Sequence, residues 1–290
     1  MGVAGPEPTL CPAKLLPFIG TIALLQDTAC NHALTKEQHA QAQDSDLVRL
    51  YNELLIGYVK DVRPVIHYGQ ALNVTFGFSL AQVIDVDERN QILTTNTWIN
   101  MNWVDVNLQW DPLAFRNITD VHIPHDHLWK PDIVLNNNAD SKYPQGTVST
   151  DMIVRFNGNV TWLSAVIFQS SCAVNVRYYP FDEQSCVLTF ASWAYDGTKI
   201  DLMVTSDKGD QTNYMKSSEW KLQSIGVQRH VTKYSCCPEP FPYIDVTIRL
   251  QRRPMFYVFN LILPCTMISF VALLVFWMPS DSGEKVSTGT

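Results

Sequence analysis

The sequence predicts a mainly β fold, in which a β-sandwich follows one N-terminal helix and precedes one transmembrane α-helix. Many short apolar runs, separated by Gly, Pro and Asn, fill the middle of the chain, as is typical of β-sandwiches. One amphipathic segment lies before these runs, and one long uncharged segment lies after them. The composition agrees, because 46% hydrophobic and 17% charged residues fit a globular domain joined to a membrane segment.

The amphipathic segment, residues 44–60, is predicted to be helical. Asp44 or Ser45 can cap its first turn, and Arg63-Pro64 is expected to end it. Its apolar side chains recur at helical spacing at Leu47, Tyr51, Leu54 and Tyr58.

The β region starts at Leu72, where apolar residues alternate as in a half-buried strand. A turn is predicted at Asp85–Glu88 and a second strand at Ile92–Trp110. Asn157-Gly158 is a strong hairpin signal between two of the later runs. Those runs are Ile133–Leu135, Met152–Phe156, Val160–Phe168, Val187–Phe190, Ile200–Val204, Trp220–Val227 and Ile244–Gln251.

The two ends of the chain carry apolar segments of different lengths. Lys14 and the run Leu15–Leu25 predict a signal peptide over residues 1–30, with a disordered start as the alternative. Residues 31–253 then form an extracellular domain. Met255–Met278 contains 24 residues without a charge, which at about 1.5 Å per residue cross a bilayer core of roughly 30 Å. The predicted membrane helix is 254–279, and Pro264 is expected to kink it.

Four cysteines remain after the leader and the membrane helix are set aside, and they allow three pairings. Proximity in the sequence favours Cys172 with Cys186 and Cys236 with Cys237. Three glycosylation sequons, at Asn73, Asn117 and Asn159, are consistent with an extracellular domain.

Two motifs around these cysteines carry a family resemblance. Cys172 and Cys186 enclose Tyr179-Pro180-Phe181-Asp182, and Tyr234-Ser-Cys236-Cys237 follows later. From about Leu47 to its end, the chain resembles the Cys-loop family of pentameric ligand-gated ion channels, and in particular the α-type subunits of nicotinic acetylcholine receptors. The resemblance implies a β-sandwich that binds acetylcholine or a related cationic agonist between subunits of a homo- or heteropentamer in the postsynaptic plasma membrane.

The resemblance also implies which residues contact the ligand. A quaternary ammonium group is best held on the faces of electron-rich rings. On the principal side, Trp193, Tyr234, the Cys236-Cys237 pair and either Phe241 or Tyr243 match family positions. One position departs from the family pattern, because Asn136 stands where α-type subunits have a tyrosine. We therefore expect weaker binding of acetylcholine.

On the complementary side, Trp98 matches the tryptophan that a neighbouring subunit contributes, and three residues match the neighbour's second hairpin: Ile153, Thr161 and Leu163. At the membrane face, Glu88 aligns with the family's coupling carboxylate and Arg252 with its basic partner, beside the loop tip Pro180-Phe181-Asp182. Solvated flanking charges are the alternative for Glu88 and Arg252. Glu284, in the segment 280–290 that starts the pore-lining helix, matches cation-selective members.

Other functional classes are less consistent with the sequence. The net charge of −7 argues against nucleic acid as a partner. The chain has no nucleophile elbow, phosphate loop or paired-carboxylate signature, so we expect no enzyme and no cofactor. Strand alternation would place His125 and His127 on one face near His122, but no fourth ligand is evident and we expect no metal site. The alternative function is a truncated or secreted ligand-binding subunit that sequesters agonist or blocks assembly without conducting.

Overall fold

A computed structural model of the chain describes residues 46–140, 148 and 150–274. The predicted signal peptide, the predicted cap residues Asp44 and Ser45, positions 275–279 of the predicted membrane helix and the segment 280–290 with Glu284 lie outside the described residues.

Helix α1 spans Asp46–Leu55, so the prediction of a helix that continues to residue 60 was wrong. Gly57 adopts a positive φ of 75°, which is a left-handed conformation that an α-helix does not contain. Tyr58 therefore lies beyond the helix, although its spacing fits the apolar face.

In the part of the chain that the structure describes, ten strands follow and form two sheets that pack as a sandwich, as predicted. The first sheet has the order β3-β5-β6-β2-β1-β8, and the second has the order β4-β7-β10-β9. All pairs of neighbouring strands are antiparallel except β1 and β8. The strands are β1 Leu72–Asp87, β2 Ile92–Gln109, β3 Asp120–Ile123, β4 Ile133–Leu135, β5 Met152–Arg155, β6 Asn157–Ser171, β7 Glu183–Ser192, β8 Ile200–Val204, β9 Trp220–Thr232 and β10 Phe241–Arg252.

Most predicted strands are present, but three details differ from the predictions. The turn predicted at Asp85–Glu88 lies three residues later, at 88–91, because Val86 is buried and keeps β1 paired through Asp87. Strand β3 was not predicted. His125 and His127 lie in the turn that follows β3, so they do not share a strand face.

The two sheets are held together by an aromatic core and by one covalent bond. Phe190 of the second sheet packs against Phe76 and Phe168 of the first, with ring centroids 5.0 and 5.4 Å apart. Cys172, which follows β6, forms a disulfide with Cys186 of β7, and both residues are buried. The bond therefore joins the sheets at one end of the core.

Helix α2 spans Met255–Leu274, and its 20 residues are long and apolar enough to cross a membrane. Its side chains are exposed in the isolated chain. The first turn, Met255–Tyr257, is α-helical, and Val258–Ile262 forms a π-helical turn before the α-helix resumes at Leu263. The irregular turn directly precedes Pro264, the residue at which a kink was expected.

One buried carboxylate in the sandwich is hydrogen-bonded to a hydroxyl and forms no ion pair among the described residues. Asp105 of β2 is 1% exposed and accepts hydrogen bonds from the Tyr58 hydroxyl at 2.7 Å and from the Asn107 N–H at 2.9 Å. Burial raises the pKa of Asp105, and these bonds offset only part of that effect. Burial and the nearby carboxylate also raise the pKa of Tyr58.

We predict that Tyr58→Phe lowers the free energy of unfolding by about 1–3 kcal/mol at pH 7, because it leaves a buried carboxylate without one donor. A carboxyl with a raised pKa in the fold is better tolerated when protonated. The loss of unfolding free energy in Tyr58→Phe should therefore shrink as the pH falls below the pKa of Asp105. Thermal melting of the purified chain at several pH values measures both effects. Tyr178→Phe, at a side chain 65% exposed, is the control, and equal losses in the two variants would contradict the prediction.

Candidate functional site

The ligand residues expected on the principal side lie on or beside the outer face of the second sheet. Trp193 directly follows β7 and is 77% exposed. Tyr234 lies between β9 and β10, and its ring contacts that of Phe241 at 5.6 Å between centroids. Tyr243 of β10 is paired with Ala191, two residues before Trp193. Four aromatic side chains are thus gathered at one end of this sheet.

The loop that carries Trp193 is held by hydrogen bonds at both ends. At its start, Asp132 accepts bonds from the Ser192 hydroxyl at 2.6 Å and from the Ala194 N–H at 2.7 Å. At its end, the Gly197 N–H donates to the Pro240 carbonyl at 2.8 Å. A Cβ on Gly197 would lie 2.8 Å from that carbonyl oxygen, so the close approach requires glycine. The exposed indole therefore stands on a fixed backbone.

Phe241 and Tyr243 were alternatives for one aromatic position, and they have different neighbours. Phe241 contacts Tyr234, whereas Tyr243 stacks on His230 with ring centroids 5.3 Å apart. His230 Nε2 also lies 3.8 Å from a carboxylate oxygen of Asp245. Phe241 is thus the ring in direct contact with Tyr234.

The other residues predicted on the principal side, Asn136 and the Cys236-Cys237 pair, are not aromatic. Asn136 directly follows β4, is exposed, and donates its N–H to the Thr189 carbonyl at 2.8 Å. The Thr189 hydroxyl in turn donates to Asp245 at 2.7 Å. Cys236 and Cys237 are joined by a disulfide in the connection between β9 and β10.

The residues expected on the complementary side lie on the other sheet. Trp98 of β2 and Leu163 of β6 are 44% and 48% exposed on the outer face of the first sheet. Ile153 and Thr161 are directly paired on β5 and β6. The two predicted sets thus face away from each other on opposite sheets, and a single chain does not bring them together. A site that uses both needs two chains.

A second cluster surrounds Arg252 at the end of β10, directly before α2. The Arg252 side chain is fully buried and forms ion pairs with Asp182 at 2.8 Å, Glu88 at 2.5 Å and Glu219 at 3.2 Å. The alternative of solvated flanking charges is therefore wrong for Arg252. Its guanidinium carbon also lies 4.2 Å from the ring centroid of Trp220.

The charges in this cluster stabilise one another. Burial alone would lower the pKa of Arg252, but hydrogen bonds and charges from Asp182 and Glu88 outweigh it and raise that pKa. Burial would raise the pKa of Asp182, but hydrogen bonds from Arg252 and Gln184 lower it instead. Arg252 and Asp182 are therefore both charged at neutral pH.

The loop between the two cysteines contributes its tip to this cluster. Pro180 is buried after a cis peptide bond, Phe181 is 62% exposed, and Asp182 is 2% exposed. Tyr257 of α2 donates its hydroxyl to Glu219 and accepts from Arg252 at 3.3 Å. The cluster therefore connects β1, the cysteine loop, β9 and the first turn of the membrane helix.

The remaining predicted positions differ in exposure. Asn73 and Asn117 are exposed, whereas Asn159 is half-buried, and its side-chain carbonyl has no hydrogen-bond partner among the described residues. Within the same part of the chain, no group of three or more His, Cys, Asp or Glu residues is arranged to hold a metal ion.

Sequence reasoning missed four residues that support the sites. Asp132 and Gly197, which hold the loop of Trp193, were assigned no role from the sequence. His230 and Glu219 carried no local signal, because each acts through a residue distant in the sequence.

Comparison with known proteins places the chain in a family. Residues 47–254 match the model described as neurotransmitter-gated ion-channel ligand binding domain, and residues 261–290 match the corresponding transmembrane region. The chain is 49% identical over 241 residues to "Ligand-gated ion channel 4" of Caenorhabditis elegans, which covers 82% of this chain and 38% of that protein. It is 43% identical over 270 residues to "Neuronal acetylcholine receptor subunit alpha-9-I" of Oncorhynchus mykiss, covering 93% and 46%.

A third relative is "Acetylcholine receptor subunit alpha-like 2" of Drosophila melanogaster, 43% identical over 252 residues, which cover 83% of this chain and 44% of that protein. The chain spans less than half the length of these relatives. The first family model alone covers more than half of the chain. The chain therefore belongs to the neurotransmitter-gated ion-channel family.

Proposed function

We propose that this chain is an α-type subunit of a nicotinic-receptor-like, cation-selective channel in the postsynaptic plasma membrane, and that it binds acetylcholine or a related cationic amine between subunits. The observation that carries this proposal is the pair of aromatic surfaces on opposite sheets. Trp193, Tyr234 and Phe241 form one surface and Trp98 belongs to the other, so adjacent copies or related subunits in a ring would complete a cage.

This proposal assigns a role to each segment of the chain. Residues 1–30 direct secretion and are removed, 31–253 form the extracellular ligand-binding domain, 254–279 form the first transmembrane helix, and 280–290 begin the pore-lining helix. Glu284 contributes to a ring of carboxylates that attracts cations. The relatives' names and the family assignment support the agonist class, and ligand-gated channels are not enzymes.

Trp193→Ala tests the proposed ligand site. Loss of the exposed indole should raise the agonist concentration needed for half-maximal current by roughly 30-fold, which corresponds to about 2 kcal/mol of cation–π attraction. The measurement uses a channel completed with a relative's remaining membrane helices. The reversal potential of its current should follow the sodium and potassium gradients. Tyr68→Ala removes an equally exposed ring elsewhere and should change nothing. An unchanged response in the Trp193 variant, or a current that follows chloride, would overturn the proposal.

Asn136→Tyr restores the ring that the family has at this position. Because Asn136 is exposed and its backbone is already fixed to Thr189, the new ring should join an existing cluster and tighten acetylcholine binding about three- to fivefold. Asn136→Leu adds apolar volume without an aromatic face and serves as the matched control. Equal gains in the two variants would show that the pocket does not recognise the ligand through ring faces.

Coupling of the site to the membrane is proposed to run through Arg252. Exchanging the charges of Glu88 and Arg252 is a poor test, because a carboxylate at position 252 would be buried against Asp182. Glu88→Gln keeps an acceptor for Arg252 and removes one charge.

We predict that Glu88→Gln shifts half-maximal activation by roughly fivefold or more while agonist affinity stays within twofold, since only the coupling contact changes. Current recordings and radioligand displacement on the same cells give the two values. Glu183→Gln is the control. Glu183 directly follows Asp182, is exposed and forms no ion pair among the described residues. Parallel changes in affinity and activation would remove the case for a coupling role.

A further inference from the structure

A cavity of about 470 Å³ lies inside the β-sandwich, apart from both sites described above. Its walls are mainly apolar and come from both sheets: Phe76, Ile99, Met101, Val166, Phe168 and Phe190. Drug-sized ligands occupy pockets of roughly 300–1,000 Å³ with such linings. The space is therefore large enough for a small organic molecule.

Two buried polar groups in the wall lack partners. Trp162 is 8% exposed and Ser164 is 3% exposed, and both line the cavity. Neither the indole Nε1–H nor the Ser164 hydroxyl has a hydrogen-bond partner within the described part of the chain. These residues and Val166 lie at alternate positions of β6 and share its inward face. Because unpaired buried polar groups are uncommon and costly, the wall presents unused capacity for hydrogen bonding to a ligand.

Three titratable side chains also line this cavity: His125, Lys130 and Asp132. The Lys130 ammonium lies 5.9 Å from the ring centroid of Trp162, and the His125 ring stacks on the same indole at 6.3 Å. The Asp132 carboxylate is occupied by Ser192 and Ala194. The rest of the lining is uncharged and mostly apolar, so the cavity favours a ligand whose buried part is uncharged.

We propose that this cavity is a binding site within one subunit for a small, neutral, aromatic molecule that carries one oxygen acceptor. The ligand oxygen accepts hydrogen bonds from the Trp162 indole N–H and from the Ser164 hydroxyl. Its ring packs against the phenylalanines of the wall, Phe76, Phe168 and Phe190. Asp132 borders this cavity and also supports the loop that carries Trp193, so a ligand here adjoins the support of the agonist site.

Benzophenone is a suitable probe, because it has two aromatic rings and one carbonyl oxygen and forms covalent bonds with nearby C–H groups on irradiation. The full chain, purified in detergent, is irradiated with increasing benzophenone, and the labelled residues are mapped by mass spectrometry. We expect saturable labelling at Met101 and Val166. This readout does not depend on agonist binding, so it can fail or succeed independently of the proposed channel function.

Competition tests the hydrogen bond. Benzhydrol and diphenylmethane have the same two rings, but only benzhydrol carries an oxygen. Benzhydrol should suppress the labelling at a concentration about three- to tenfold lower, as expected for one net hydrogen bond. Equal potency of the two competitors would overturn the assignment of Trp162 and Ser164.

A filled cavity provides the final control. Val166→Phe places a ring in the space and should abolish labelling at Met101, while Val231→Phe, at a half-exposed position of β9, should leave it intact. Should Val166→Phe fail to fold, the competition experiment on the unaltered chain decides. Labelling that never saturates, or that is confined to Met255–Leu274, would show that the cavity holds no such ligand.

Discussion

The buried charge of Arg252 is the interaction on which the rest of the structure depends. A guanidinium removed from water is tolerated only when carboxylates and hydrogen bonds replace its hydration. Asp182 and Glu88 supply the closest replacements, from the cysteine loop and from the turn after β1, which are far apart in the sequence. Since Arg252 ends β10 and directly precedes α2, this requirement holds the cysteine loop, the first strands and the membrane helix at one place.

The proposed agonist site is built on the opposite principle, because its aromatic side chains are exposed and their supports are held by hydrogen bonds. Trp193 makes its stabilising contacts through the backbone of its loop, which leaves the indole face free. Asp132 and Gly197 secure that loop to two different strand connections. Rigid support at both ends would limit the entropy that this loop loses if a ligand binds against the ring.

Periodicity predicted the parts of the fold that depend on one stretch of chain. Most of the strands and the apolar helix followed from alternation, length and composition. The end of α1 did not, because Gly57 adopts a left-handed conformation that spacing does not indicate. The parallel position of β8 beside β1, the ion pair between Glu219 and Arg252 and the support from Asp132 also escaped prediction, because each joins residues that are distant in the sequence.

The π-helical turn at Val258–Ile262 lies between the Arg252 cluster and the remainder of α2. Such a turn contains one residue more than an α-helical turn. If it tightened to α geometry, the helix beyond it would rotate by about 100° and advance by roughly 1.5 Å relative to Tyr257. A different set of side chains would then face the neighbouring helices. The membrane segment thus contains a local register defect close to the residues that join it to the sandwich.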